Sequence, residues 1–136
     1  GDSSANASSG DYSKNASSGY YSRNASSGDS SANASSGDYS KNASSGYYSR
    51  NASSGDYSKN AMDGQFSVSV DAGHGGLAKG KIGCWFCLSE WEQDVDGEWK
   101  PVCVRATQID GIVIKEDTYY KLVNGEFVEE TNGDTT

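Results

Sequence analysis

The sequence predicts an all-β protein: a β-solenoid of nine nonapeptide units, two to a coil, closed at its C-terminal end by a small antiparallel β-meander. Three observations lead there. Residues 1–61 repeat one nine-residue phrase, G-[DY]-[YS]-S-[KRA]-N-A-S-S, from Gly1, Gly10, Gly19, Gly28, Gly37, Gly46 and Gly55, and a fixed period of this sort marks stacked units. The phrase holds no large aliphatic side chain, so any interior it builds is polar and narrow. Beyond it, Asp-Gly and Asn-Gly pairs separate runs rich in Val, Ile and Trp, a strong short-range signal for hairpins.

Within the phrase, positions one, four and six to nine hardly vary, whereas two, three and five do. Side chains alternate between the two faces of a strand, which sends Ser at four, Asn at six and Ser at eight inward. Asp or Tyr at two and three, and Lys or Arg at five, then decorate the outside or the corners. A core of Ser, Ala and Asn demands closely packed coils, with residues such as Asn15 and Asn33 hydrogen-bonding along the axis as stacked amides do. The glycine is assigned the corner, where a positive φ is needed. Two units per coil, rising ~4.8 Å, is the preferred winding. Three units per coil is the rival, because residues 1–27 and 28–54 are identical. A Gly/Ser/Asn composition also suits a disordered linker or a cross-β fibril of the curli sort, but the strict period and fixed tyrosines favour an ordered array.

The repeat then degrades. Residues 64–72 keep the glycine, an aromatic at three and a serine at four, while 73–81 keep a glycine in place and little else, which sets the solenoid at 1–81. The drift brings in Phe66, Val68, Val70 and Leu77, read as the apolar residues with which a terminal repeat meets its neighbour. Residues 82–130 read as the meander. Strand-like Ile82–Gln93 and Glu98–Gln108 flank Asp96-Gly97, the run Ile112-Val113-Ile114 follows Asp110-Gly111, and Thr118–Val123 and Glu126–Glu130 flank Asn124-Gly125. All three Trp lie in this stretch, but about fifty residues are marginal for independent folding, so it is expected to dock on the last coil. Residues 131–136 read as a flexible tail.

Charge and motifs narrow the function. The formal net charge of −8 falls wholly after Met62, since residues 1–61 carry five Asp against five Lys or Arg. Nucleic-acid phosphate and anionic lipid need a basic patch that the sequence lacks, and no apolar run approaches the ~20 residues of a membrane helix, so neither is an expected partner. Cys84-Trp-Phe-Cys87 has C-x-x-C spacing, with Cys103 and His74 as further zinc ligands. Residues three apart on a strand face opposite ways, however, and buried thiols are expected instead. Gly73-His74-Gly75-Gly76 lacks the Lys-Ser/Thr of a phosphate loop. Glu90, Glu92, Asp94 and Asp96 read as a solvated hairpin end rather than paired catalytic carboxylates. The unit shares its length with calcium-binding nonapeptide rolls but has one glycine where they have three, and the units with Tyr20 and Tyr47 lose the aspartate. Six Asn-Ala-Ser triplets, at Asn6, Asn15, Asn24, Asn33, Asn42 and Asn51, match a glycosylation acceptor but point inward on this reading. No catalytic residue, metal or cofactor is assigned, and the chain is read as a non-enzyme.

The surface candidates are Tyr12, Tyr20, Tyr21, Tyr39, Tyr47, Tyr48 and Tyr57, expected as ladders along the rod. They would serve rung-to-rung stacking, or form a platform for a carbohydrate, a surface protein or another rod. The leading functional reading is a structural, fibre-forming repeat protein that associates with itself into an oligomer or filament through the open first strand edge. A binding or adhesion module using the Tyr rows is the alternative, and an enzyme comes last.

The Gly-Asp-Tyr-Ser-Lys-Asn-Ala-Ser-Ser array, followed by Lys81-Ile-Gly-Cys-Trp and by the stretch from Asp110-Gly-Ile-Val-Ile-Lys to Asn124-Gly-Glu-Phe-Val-Glu, resembles a group of uncharacterised bacterial and phage proteins. In that group nonapeptide repeats precede the same C-terminal module and usually follow a separate N-terminal domain. The resemblance brings no activity with it; the compartment is not read from the sequence, with a place outside the cell, at the cell surface or on a phage particle, favoured. The degenerate units are also similar in style to the β-roll heads of trimeric autotransporter adhesins, an analogy of architecture alone.

Overall fold

The computed structural model describes residues 2–131. The expected tail therefore lies outside the described residues except for Thr131, which is exposed. The solenoid strands are β1 (Ala5–Ser8), β2 (Lys14–Ser17), β3 (Arg23–Ser26), β4 (Ala32–Ser35), β5 (Lys41–Ser44), β6 (Arg50–Ser53), β7 (Lys59–Met62), β8 (Val68–Asp71) and β9 (Leu77–Gly80). Each covers positions five to eight of its unit. Odd-numbered strands stack in parallel in one sheet and even-numbered strands in the other. Partners lie 18 residues apart, as in Asn6 beside Asn24 and Asn15 beside Asn33, so two units make one coil and the three-unit winding is excluded.

The interior runs between the two sheets. Positions four, six and eight point into it: Ser22, Asn24 and Ser26 are at most 5 % exposed, and Ser40, Asn42 and Ser44 at most 2 %. The asparagines do the stitching. Asn24 donates through Nδ2 to Asn42 Oδ1 of its own sheet at 3.1 Å, and to Ala34 O and Ser17 Oγ of the facing sheet at 2.7 and 3.0 Å. Asn33 and Asn42 repeat the pattern. A polar core is tolerable because nearly every donor and acceptor in it is satisfied this way. Ala at position seven, expected in that core, lies on the outer face instead.

The glycine and the corner exchange roles relative to expectation. The left-handed residue is at position three, not position one: Tyr12, Tyr21, Tyr39, Tyr48, Tyr57 and Phe66 have φ between 57° and 60°. Position one must be glycine for a different reason, close approach of neighbouring coils. A Cβ on Gly46 would sit 2.1 Å from the carbonyl oxygen of Gly28, and one on Gly37 2.1 Å from that of Gly19. The positive φ thus falls on a bulky residue, a costly state that the tightly bonded corners hold in place. Corner amides also bond from coil to coil, as Tyr21 N does to Asp38 O at 3.0 Å.

A tenth unit hides in residues 81–89. The ninth is one residue short, so β10 (Trp85–Gln93) pairs with β8 at a spacing of 17, Trp85 beside Val68. Gly83 takes the left-handed position at φ 94°. Cys84 stands where the serines stand and donates its thiol to Gly64 O at 3.3 Å, as Ser67 Oγ does to Gly46 O. From here the core turns apolar. Phe86 and Leu88 occupy the Asn and Ser positions and pack with Met62, Ala78, Ile109, Ile114, Tyr120 and Leu122. Phe66, Val68 and Val70, expected to meet a neighbouring element, project outward and are 55, 46 and 42 % exposed, because they sit at positions three, five and seven; Leu77 is buried.

The cap comprises two hairpins on different sheets rather than one continuous meander. β10 overhangs the solenoid, turns at residues 94–98, and β11 (Trp99–Gln108) returns as the outer edge of the six-stranded sheet. The chain then crosses the end of the solenoid. Ile112-Val113-Ile114 forms no strand, because Asp110 Oδ1 accepts all three of their amides at 2.9–3.0 Å. β12 (Tyr120–Val123) and β13 (Glu126–Glu129) complete the seven-stranded sheet, β12 meeting β9 at Tyr120 and Ala78. Glu90 ties the hairpins together by accepting the amides of Asn124 and Gly125 at 2.7 and 2.9 Å.

Candidate functional site

The shared corner conformation launches every position-three side chain in the same direction, and the 18-residue coil superposes them. One corner therefore carries Ser3, Tyr21, Tyr39, Tyr57 and Gly75 in sequence, and the other Tyr12, Ser30, Tyr48 and Phe66. On the first corner Tyr21, Tyr39 and Tyr57 stack with centroids 5.2 and 5.3 Å apart and planes 17° from parallel. Gly75 leaves room above Tyr57, since a Cβ there would lie 2.6 Å from its Cδ1. His74 folds into that room, edge-on to Tyr57 at 5.3 Å, and Trp99 of the overhanging hairpin closes the column 4.3 Å from His74. On the second corner Tyr48 stacks on Phe66 at 5.9 Å and receives Tyr47 edge-on at 6.4 Å. Tyr12 and Tyr20 have no ring partner among the described residues. Five of the seven tyrosines thus fall into two columns, with Tyr12 and Tyr20 outside them, and the extension through His74 and Trp99 was not visible in the nine-residue period, because His74 sits at position two and Trp99 in the cap.

Position two supplies a second ladder. Asp29 Oδ1 accepts the Tyr47 amide at 2.8 Å, Asp38 Oδ1 that of Asp56 at 2.7 Å, and Asp56 Oδ1 that of His74 at 3.1 Å. Each aspartate therefore fixes the corner of the coil above, which in turn fixes the ring beside it. The stacked rings cover each other's faces and offer edges to solvent, with Tyr21, Tyr39 and Tyr57 59, 47 and 45 % exposed. A sugar that stacks on an aromatic needs an open face, so this column is poorly shaped for such a ligand.

The outer faces of the sheets differ from one another. On the six-stranded sheet Ala16, Ala34, Ala52, Val70, Cys87 and Ala106 are direct neighbours in register, an apolar ladder crossing every strand. Val68, Trp85 and Val104 flank its C-terminal half at 46, 46 and 63 % exposure. A shallow groove floored by these alanines runs along it. On the seven-stranded sheet the equivalent row is Ala7, Ala25, Ala43, Ala61 and then Lys79, whose ammonium lies 4.6 Å from the Tyr119 ring. Only the first face keeps its apolar row uncovered to the cap.

The groups considered for chemistry have structural partners. Cys84 faces the core while Cys87 lies on the outer face, so the C-x-x-C pair points to opposite sides of the sheet. Burial pushes the Cys87 thiol up from its usual range. Asp94 accepts the amides of Asp96 and Glu98 and pairs with Lys100 at 3.0 Å, which together hold its carboxyl below the usual range. The acidic cluster shapes a turn and a clamp. Asn24, Asn33, Asn42 and Asn51 are at most 2 % exposed, which keeps these four triplets from a glycosyl donor in the folded chain, whereas Asn6 and Asn15 are half-buried. Among the described residues no group of three or more His, Cys, Asp or Glu converges as for a metal, and no helix is long and apolar enough to cross a membrane.

One titratable group escaped the sequence reading. Asp71, at position eight of the eighth unit, is 1 % exposed between Ser53 of one coil and Leu88 of the next. Its Oδ1 accepts the Gly73 amide at 3.3 Å, and its Oδ2 has no partner among the described residues. Desolvation, opposed by hydrogen bonds from Ser53 and Gly73 and reinforced by Asp56, pushes the carboxyl up to about 8. Gly76 opposite makes space, since a Cβ there would lie 2.2 Å from the Asp71 carboxyl carbon.

No family model, curated protein or solved structure compared with the chain matches it.

Proposed function

We propose that the chain is a non-catalytic structural rod that associates laterally with a second copy of itself through the outer face of the six-stranded sheet. The observation that carries this reading is the in-register row from Ala16 to Ala106, which no charged side chain interrupts. Flat sheet faces with small side chains pack closely, and contiguous exposed apolar surface marks association sites. The face is small at one end, where the row holds Ala16 and Ala34, and bulkier toward the cap, where Val68 and Trp85, in register with each other, stand beside Val70 and Cys87. A two-fold pairing lays each bulky end over the partner's small end, the self-complementary arrangement of an isologous contact. Axial joining at the capped end is less favoured, because edge strand β11 carries Lys100, Pro101 and Arg105 and a bulge at Val102, opposite Glu90 and Trp91, features that discourage a further strand.

The test is sedimentation and electron microscopy of the full chain against Val70→Lys. The substituted side chain is exposed, so folding persists, as circular dichroism verifies. Concentration-dependent oligomers or bundled rods that dissociate in the variant support the proposal. A monodisperse monomer across the concentration range, or oligomers indifferent to V70K, refutes it.

A further inference from the structure

We propose that Tyr21, Tyr39 and Tyr57 form an oxidative cross-linking site, at which a peroxidase-class oxidant joins tyrosines of successive coils through a covalent dityrosine bond. The three phenols leave the backbone at φ 57°, 59° and 57°, one coil apart each time. Their rings lie 5.2 and 5.3 Å from each other, 17° from parallel, and about half exposed. An oxidant at the surface therefore reaches every ring, and each ring that is oxidised already has its partner in contact. Side chains held this way face each other at an effective concentration far above that of a second protein molecule.

The chemistry balances with hydrogen peroxide as the terminal oxidant. The haem of a peroxidase, oxidised by one peroxide, removes one electron and one proton from each of two phenols. The two phenoxyl radicals couple at ring carbons ortho to oxygen, forming one carbon–carbon bond. The two ortho protons then move to the ketone oxygens of the coupled dienones, restoring both aromatic phenols. Two hydrogens leave the protein and the peroxide becomes two waters. The product is a staple along the rod, perpendicular to the strands it joins.

The molecule contains its own controls. On the other corner Tyr48 stacks on Phe66, which has no phenol to oxidise, and meets the phenol of Tyr47 only edge-on at 6.4 Å, within one tryptic peptide. Tyr12 is 77 % exposed, so it is open to the oxidant, but it has no stacked neighbour among the described residues. Tyr39 belongs to both reactive pairs and decides the outcome.

The experiment treats the full chain, dilute, with a haem peroxidase and hydrogen peroxide, then unfolds and digests it with trypsin. Cleavage after Lys14, Arg23, Lys41, Arg50 and Lys59 places Tyr21, Tyr39 and Tyr57 on separate peptides. The expected result is a fluorescent species lacking two hydrogens, in which the peptide of Tyr39 is linked to that of Tyr21 or Tyr57, at a yield independent of protein concentration. Tyr39→Phe keeps the stack and should remove the product at least tenfold, whereas Tyr12→Phe should leave it unchanged. Links found only in covalent dimers, a bond at Tyr20 in place of Tyr21, or equal yield from Y39F would each overturn the proposal.

Discussion

Asp71 sets a stability gradient with pH that its replacement should erase. Its carboxyl titrates at about 8 in the folded chain against an ordinary 3.8. Below about pH 4 both states hold the proton and burial carries no ionic penalty. Between about 4 and 8 the unfolded chain ionises while the folded carboxyl stays neutral, so stability falls as pH rises, by roughly 1.4 kcal/mol per pH unit. Above about 8 both states are ionised and the curve flattens. The accumulated loss is on the order of 5 kcal/mol, comparable with the whole stability of a small domain. Asp71→Asn keeps the shape and an oxygen for the Gly73 amide but cannot ionise. The assay is urea unfolding of both proteins from pH 4 to pH 9. Subtracting the two curves removes every other titrating group and should leave a gap that widens to several kcal/mol in favour of D71N. A difference curve flat across that range would show that the carboxyl is solvated, and the reasoning from burial would fail.

Three further substitutions separate the forces in the coil. Gly46→Ala drives a Cβ to 2.1 Å from Gly28 O and should cost at least ~3 kcal/mol in chemical denaturation, whereas Gly10→Ala, which meets only Ser13 Oγ at 3.5 Å, should be nearly neutral. Asn33→Ala removes donors to Asn51, Ala43 and Ser26 and takes from the Asn15 amide one of its three acceptors, for an expected loss of ~3 kcal/mol and faster amide exchange in β2 and β4. Tyr12→Asn places a residue tolerant of positive φ where no ring contact is lost, and should raise the melting temperature slightly. The same change at Tyr39 removes two stacks and should lower stability by ~1–2 kcal/mol.

Much of the solenoid was legible because its repeat is strict. The inward placement of positions four, six and eight follows from alternation along a strand, and the invariance of Ser and Asn there reflects the ladders they build. What escaped was set by contacts between coils, which one unit cannot reveal. A glycine invites a reading of positive φ, but Gly46 is required because Gly28 O lies where its Cβ would be. Val68 and Val70 look like core residues by hydropathy and are not, since positions five and seven of their unit face outward. The tenth unit was concealed by Lys81 in the glycine place and by a one-residue shortening that breaks the period. The hairpins of the cap were found from their turns, but turns do not say which sheet each hairpin joins. At the candidate site the tyrosines were named from their spacing, while the division into two corners required the coil length, and the closing of one column by Trp99 required the cap.

The sequence repeats every 27 residues while the coil closes every 18. Each copy of the longer block therefore winds one and a half coils, and consecutive blocks begin on opposite sheets. A chain with one block more or fewer keeps the same coil. An odd change in copy number would turn the cap half a revolution against the starting end, carrying the apolar row of one sheet round to continue behind the other. An even change would restore the alignment and only alter reach, by about 14 Å for two blocks at ~4.8 Å per coil. Length and facing are thus inherited together, and a population of variants would alternate in facing as it lengthens.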